Sequence, residues 1–395
     1  MTATTQAPAQ VPGSRSHTDG AWSVIPIQTR SERPRSYAPA DFDTPTGREV
    51  NWKHTPVARV SALFDADAAS TPASVSVHAD DAVQVGRLGT EDAPRGEVFT
   101  PEDRTAALAW TRSDEALSIR IPAGIEVAEP VVVDIDGVPG LSHQHLTIEA
   151  QPQSRATVLL RHRGTAQFAQ NVEIIVRDGA NLDVVSVQQW NDDAVHIAAH
   201  QARVDRDASL RHIVVSFGGG VVRVNPSVEL AGTGSHGELY GLSYSDSGQH
   251  LESQVYLHHK GAETSGDVLY KGALQGEGAR SVWIGDVLIG PDATGTDSYE
   301  ANRNLVLTEG ARADSIPNLE IQTGDIRGAG HASATGRFDD EQLFYLQARG
   351  IDEEEARRLV VLGFLAEIVQ KIRIPSLETE LISAIEDELA QETAQ

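Results

Sequence analysis

The sequence predicts a mainly β fold, a parallel β-helix with a partly helical region before it and α-helices after it. Three observations carry this. Short runs rich in Val, Ile and Leu recur between about 117 and 337, among them LSIRI, PVVVDI, ATVLLRH, LRHIVVSF and SVWIGDVLI. Each run has strand length and composition. Small or polar turns separate them, such as DGAN at 178–181, DRDAS at 205–209 and GEGAR at 276–280. Turn alanines recur at loosely fixed intervals: 156, 180 and 208 are 24 and 28 residues apart, and 262, 279, 293 and 311 are 17, 14 and 18 apart. One turn chemistry returning in this way describes stacked coils. The drift in spacing makes the repeat imperfect, and a β-sandwich would give similar runs, so the periodicity favours the solenoid without excluding the sandwich. No helix-length amphipathic segment interrupts the region, which argues against βαβ units.

Four regions follow in order. Residues 1–20 are Ala/Thr/Pro/Gln/Ser-rich and are expected to be disordered. Residues 21–115 form an irregular, partly helical region. Its apolar anchors are Trp22, Ile25, Ile27, Trp52, Val57, Val60, Leu63 and Phe64. Residues 116–337 form the β-helix core and 338–395 a helical domain. There, Asp339 or Asp340 can cap a first helix carrying Leu343, Phe344 and Leu346. Gly350 fits a left-handed ending on which Ile351 packs back. Asp352 then caps a second helix with Glu355 at its third position. Pro375 stops that helix, and Ser376 can start a last one with Leu377, Leu381, Ile385 and Leu389.

Charge and composition exclude several functions. The chain of 395 residues has 32 basic and 57 acidic side chains, a net of −25. Such a field repels phosphate backbones, so nucleic acid and anionic membranes are not expected partners. There is no cysteine, hence no disulfide, thiolate ligand or thiol nucleophile. The opening MTATTQAPAQVPGSRSHTDG has no apolar stretch, and nowhere do about 20 apolar residues run together. A cytoplasmic protein is the expectation.

The second C-terminal helix is the most telling element. LVVLGFLAEIV at 359–369 is apolar on nearly every side, where a surface helix would show one stripe. It asks for burial on two sides, by a partner or within a large lobe. His331 lies in GAGHASATG, among residues too small to shield it, and can offer a neutral ring nitrogen to a metal. Solvation or a backbone bond is the plain alternative. His143 and His145 would share one sheet face, whereas His258 and His259 would oppose each other. All four read more simply as satisfied surface histidines. Gly218–Gly220 leads into no helix, and GxxxxGK[ST] is absent, so any ATP-driven step comes from another protein. Asp192–Asp193 reads as a solvated turn.

These pieces resemble the SufB/SufD family of iron–sulfur cluster assembly scaffolds. The similarity lies in REVNWKHTPVARV at 48–60, FGGGVVRVNPSVELAGTGSHGELYGL at 217–242, QHLESQVYLHH at 249–259, LYKGALQGEGARSVWIGDVLI at 269–289 and the block from Ala313 to Ile372. The resemblance implies a right-handed parallel β-helix between helical ends, with no enzymatic activity of its own. It implies docking of an ABC-type ATPase, SufC, on the C-terminal helices. Candidate contacts are Leu343, Phe344, Leu346, Leu359, Val360, Leu362, Phe364, Leu365 and Ile368. It also implies pairing with a SufB-like subunit through the β-helices, and a transient iron or iron–sulfur cluster at the junction rather than a tightly held cofactor.

SufB-type chains carry a cysteine in the segment matching EANRNLVL, where this chain has Asn302, and a glutamate after the turn histidine, where it has Ala332. Both departures favour the SufD branch, in which the turn histidine is tied to cluster assembly; His331 matches it. Some SufD chains have a cysteine at the position of Ala329, so thiolate ligands would come from SufB. Two rivals stand beside this reading: a β-helix carbohydrate-active enzyme, and a SufD-like homodimer that binds iron alone.

Overall fold

The computed structural model describes residues 14–16, 24–26, 30, 33–338 and 340–392. In chain order the elements are β1 (Ser14–Ser16), β2 (Val24–Pro26), β3 (Ser74–His78), β4 (Gln84–Leu88), α1 (Arg104–Thr111), β5 (Ala116–Ile121), β6 (Val131–Gly137), β7 (Leu141–Ala150), β8 (Arg155–Gly164), β9 (Gln167–Val176) and β10 (Asn181–Trp190). Then follow β11 (Val195–Val204), β12 (Ser209–Ser216), β13 (Val221–Leu230), β14 (His236–Ser245), β15 (His250–His259), β16 (Ser265–Leu274), β17 (Arg280–Ile289), β18 (Thr296–Val306), β19 (Arg312–Ile321) and β20 (Ile326–Arg337). The helices α2 (Asp340–Gln347), α3 (Glu353–Val369) and α4 (Pro375–Glu392) end the described chain. Of the expected disordered tail, all but Ser14–Ser16 lies outside the described residues, as do the side chains of Trp22, Ile25 and Ile27; the backbones of β1 and β2 pair antiparallel.

From β5 onward the chain winds as a parallel β-solenoid of eight coils. Even-numbered strands from β6 to β20 form a first sheet ending on β3, and odd-numbered strands from β5 to β19 form a second ending on β4. Only β3 and β4 run antiparallel to their neighbours in these sheets. The register fixes the true repeat. Arg155, Asn181, Ser209, His236, Ser265 and Asp297 are successive rungs of one ladder, spaced 26, 28, 27, 29 and 32 residues apart. The variation is taken up in the turns.

The alanine series of the sequence mixes different corners. Ala180, Ala208 and Ala293 close turns leading into the first sheet, each amide donating to the carbonyl three residues back, whereas Ala279 closes a turn into the second. Ala156 belongs to strand β8, paired with Leu182.

Strands here are apolar on both faces because both faces are covered. In β10, Val184 packs inward, while Val185 and Val187 face outward and are equally buried. The outer face of the first sheet is covered by Val361, Leu365, Ile368, Val369 and Ile372 of the α3 segment and Leu377, Leu381 and Ile385 of α4. Trp52, Val60, Leu63, Phe64 and α1 cover the second sheet. Each such buried aliphatic side chain contributes about 1.5–3 kcal/mol. Much of the apolar surface of α3 is thereby met inside the chain, by the sheet on one side and α4 on the other.

Helix ends follow the expected chemistry. Gly350 has φ +86°, the Ile351 amide donates to Leu346 O at 3.2 Å and the Gly350 amide to Gln347 O at 2.9 Å, a Schellman ending. The Asp352 carboxylate accepts from the Glu355 amide at 2.9 Å. Pro375 is the first residue of α4, where a missing amide hydrogen costs nothing.

The N-terminal region is held by buried charge. Arg223, wholly buried, lies 4.1 Å over the Trp52 ring and 3.6 Å from Glu252. The Thr55 hydroxyl donates to Glu252 at 2.8 Å. Burial alone would raise the Glu252 carboxyl, but Arg223 and His250 hold it down at about 2.

Candidate functional site at the open end of the solenoid

β19 and β20 are the last strands of their sheets. The inner face of this final coil is not closed over as the earlier coils are. Ser315, Pro317 and Leu319 of β19 and Ala329, His331 and Ser333 of β20 are all at least partly exposed. Each of these positions matches an inward residue of the coil before, as the pairing of Ser315 with Trp283 and of Pro317 with Gly285 shows. Small side chains therefore line a shallow, wet floor at one end of a dry core.

His331 stands on this floor. One ladder of the first sheet runs Val184, His212, Leu239, Val268, Glu300, His331. Its members are core residues until the last two. Glu300 is 1% exposed as a side chain, His331 45%, and Nδ1 of the histidine lies 4.0 Å from Oε1 of the glutamate. That is too long for a hydrogen bond. Neither Glu300 oxygen has a hydrogen-bond partner. Burial, helped by the charge of Asp286, pushes its carboxyl up to about 8. Room for the carboxylate comes from Gly285, where a Cβ would sit 2.4 Å from Oε2.

Asn302 lies one inward step along β18, paired with Ser333. Its amide nitrogen donates to Tyr270 O at 3.2 Å, and its oxygen accepts from Asn304 at 2.7 Å. Deeper inside, Ser243, Tyr270, Gly272, Ser281, Trp283 and Asn302 line a cavity of about 20 Å³. The Tyr270 hydroxyl and Trp283 Nε1 lack partners there, and the space suits one water.

Two of the nine candidate docking residues, Leu365 and Ile368, are fully buried against the first sheet, and Leu343 is nearly so. Leu346, Val360, Leu362 and Phe364 are half-buried. Phe344 and Leu359 are exposed at 72% and 41%, with Tyr345 beside them at 55%. Thus α3 uses one flank for its own sheet and shows an apolar remainder with α2.

The histidine pairs take the expected faces, but not the expected surroundings. His143 and His145 are buried beneath the N-terminal region: Nδ1 of His143 is 2.9 Å from the Ser70 hydroxyl, and Nε2 of His145 is 3.3 Å from Glu173. Glu173 also accepts from the amides of Gly96, Val98 and Phe99. His258 faces outward near Tyr256; His259 faces inward between Thr264 and Ser298.

Sequence reasoning passed over Glu300 and four interior histidines: 162, 196, 200 and 212. His162 meets Gln170 at 3.0 Å, His196 meets Gln188 at 2.8 Å, and His200 meets His212 at 2.9 Å. All four are held neutral by burial, which drives their pKa values down. Among the described residues no three His, Asp or Glu side chains converge as a metal site, and no helix is long and apolar enough to cross a membrane.

Residues 133–364 match the family described as the SufBD core domain of SUF-system iron–sulfur cluster assembly. A Mycobacterium bovis protein named as an iron–sulfur cluster assembly SufBD family protein is 48% identical over 358 residues, covering 88% of this chain and 90% of the relative. A Mycobacterium leprae protein of the same description is 47% identical over 357 residues, covering 88% and 91%. The Escherichia coli iron–sulfur cluster assembly protein SufD is 26% identical over 382 residues, covering 86% and 88%.

Proposed function

We infer that this chain, which belongs to the SufBD family of iron–sulfur cluster assembly proteins, serves as a SufD-type scaffold without catalytic activity of its own. It pairs with a SufB-like subunit through the open end of its solenoid and presents His331 to iron or a nascent cluster at that junction. It docks a SufC-like ABC ATPase on α2 and α3. The observation that carries the reading is the final coil. Two long edge strands, β19 and β20, carry unpaired backbone groups on their outer side, and His331 sits on the floor they form. A partner strand laid along that edge would pair those groups and bring its own ligands over the histidine.

Support for the SufD branch comes from the match to a protein named SufD over nearly its whole length, and from Asn302 where SufB-type chains carry cysteine. Support for ATPase docking comes from Phe344 and Tyr345 of α2 and Leu359 of α3, which expose apolar surface on and beside a helix rooted in the first sheet. A patch with a rigid base and an exposed rim suits a protein partner.

Co-expression with the host's SufB-like and SufC-like subunits, followed by mass determination of the purified complex by light scattering, tests the reading. One copy each of this chain and the SufB-like subunit with two ATPase copies is the expected result. A chain that elutes alone at several salt concentrations would sink it. In the assembled complex, His331→Ala should lower cluster yield without dissociating the subunits.

A further inference from the structure

We propose that Glu300 and His331 together form this chain's half of a divalent-cation site at the open end of the solenoid, giving one carboxylate oxygen and one imidazole nitrogen. The inference rests on the role assigned to His331 above and adds a second donor to it.

Geometry carries the argument. Glu300 and His331 are paired residues on adjacent strands, on the same inward ladder. Their nearest polar atoms are 4.0 Å apart. An ion with bonds of about 2.1 Å and a tetrahedral angle holds its donors about 3.4 Å apart, so closing the present gap by about 0.6 Å brings both within reach of one ion. The histidine ring is 45% exposed as a side chain and can tip inward to narrow the angle at the ion, while the carboxylate is fixed in its pocket.

Chemistry agrees. A fully buried carboxylate with two unpartnered oxygens is an exception that needs an explanation. Packing alone does not supply one, because a methionine would fill the same room without the desolvation cost. Gly285 leaves the space that the carboxylate occupies. An O/N donor pair suits ferrous or manganous ions better than soft ones. With no third donor converging among the described residues, an ion held here keeps open positions for ligands from a partner or for sulfide, as suits cargo.

The test uses the full chain under anaerobic conditions with Mn²⁺ as the probe, followed by loss of the free-ion electron paramagnetic resonance signal, and Fe²⁺ as competitor. The expected result is one weak Mn²⁺ site per chain that Fe²⁺ displaces. Glu300→Gln and His331→Ala should each weaken it by roughly tenfold or more, with unchanged circular dichroism. Wild-type protein gives a check free of any folding defect: diamagnetic Zn²⁺ in place of Mn²⁺ should shift the carbon-13 signals of both the His331 ring and the Glu300 carboxyl group. Glu300→Gln binding like wild type, or a shift at His331 alone, overturns the proposal and leaves the histidine reading standing. No saturable Mn²⁺ binding at millimolar concentration overturns it too. Failure of the scaffold reading shows instead in the co-expression experiment.

Discussion

Lowering the pH from 7.5 to 5 should strip most of the stability from this protein, and buried histidines are the reason. His143, His162 and His212 are held at about 4 and His259 at about 3, chiefly by burial. In the unfolded chain each binds a proton near pH 6.5. The unfolded state therefore takes up protons first as pH falls, and stability declines between about 6.5 and 4. At pH 5 each histidine costs about 2 kcal/mol, or about 8 together. His196 and His200, lowered further still, act in the same direction.

Glu300 opposes them. Its folded value of about 8 lies above its ordinary one, so the folded state holds the extra proton and gains about 3 kcal/mol over the same interval. The histidines win by about 5 kcal/mol, comparable with the whole stability of many domains. Urea unfolding at pH 7.5, 6.5, 5.5 and 5.0, read by tryptophan fluorescence, measures the loss. His162→Gln and His212→Asn should each flatten the pH slope by up to one proton. A stability that stays level down to pH 5, or a slope that both substitutions leave intact, would refute the reasoning.

Three further outcomes are expected. Glu252→Gln should cost about 3–5 kcal/mol by leaving Arg223 unpaired in the core, and Arg223→Met with Glu252→Gln should recover most of it in the same urea titrations at pH 7.5. Gly232→Ala would set a methyl 2.0 Å from Arg206 N and 2.3 Å from the Asp205 carbonyl carbon, so soluble yield should collapse. Gly248→Ala, with φ +73° and nothing within 4 Å of the new atom, should cost only ~1 kcal/mol. On the helices, Phe344→Asp should weaken ATPase binding in a pull-down at unchanged melting temperature, whereas Leu365→Ala should cost about 2–5 kcal/mol of stability.

The strands were legible because parallel strands buried on both faces have a continuous apolar signature, as in PVVVDI and ATVLLRH. The C-terminal helix ends were legible because capping is local: Gly350, Asp352 and Glu355 announce themselves within a few residues. What covers each sheet was not. An outward Val185 looks the same in sequence whether α3 or the Trp52 segment lies over it, so the apolar sides of α3 pointed to a partner when much of that surface was answered within the chain. Glu300 stayed hidden for a similar reason. Its meaning depends on a register with His331, thirty-one residues later, and the turns between coils vary too much in length to give that register in advance. The four interior histidines come from three strands and meet only when two sheets close on each other.

The two ends of the solenoid are unlike. At one, β3 and β4 are five residues each and reverse direction. At the other, β19 and β20 run ten and twelve residues in the direction of every coil before them. A rod with two adhesive tips would add copies without limit and become a fibre; a rod with one can only be joined tip to tip, and then stops. If solenoids join through the open end, as proposed above, the short reversed strands are a count as well as a cap, and two is the number that share an axis.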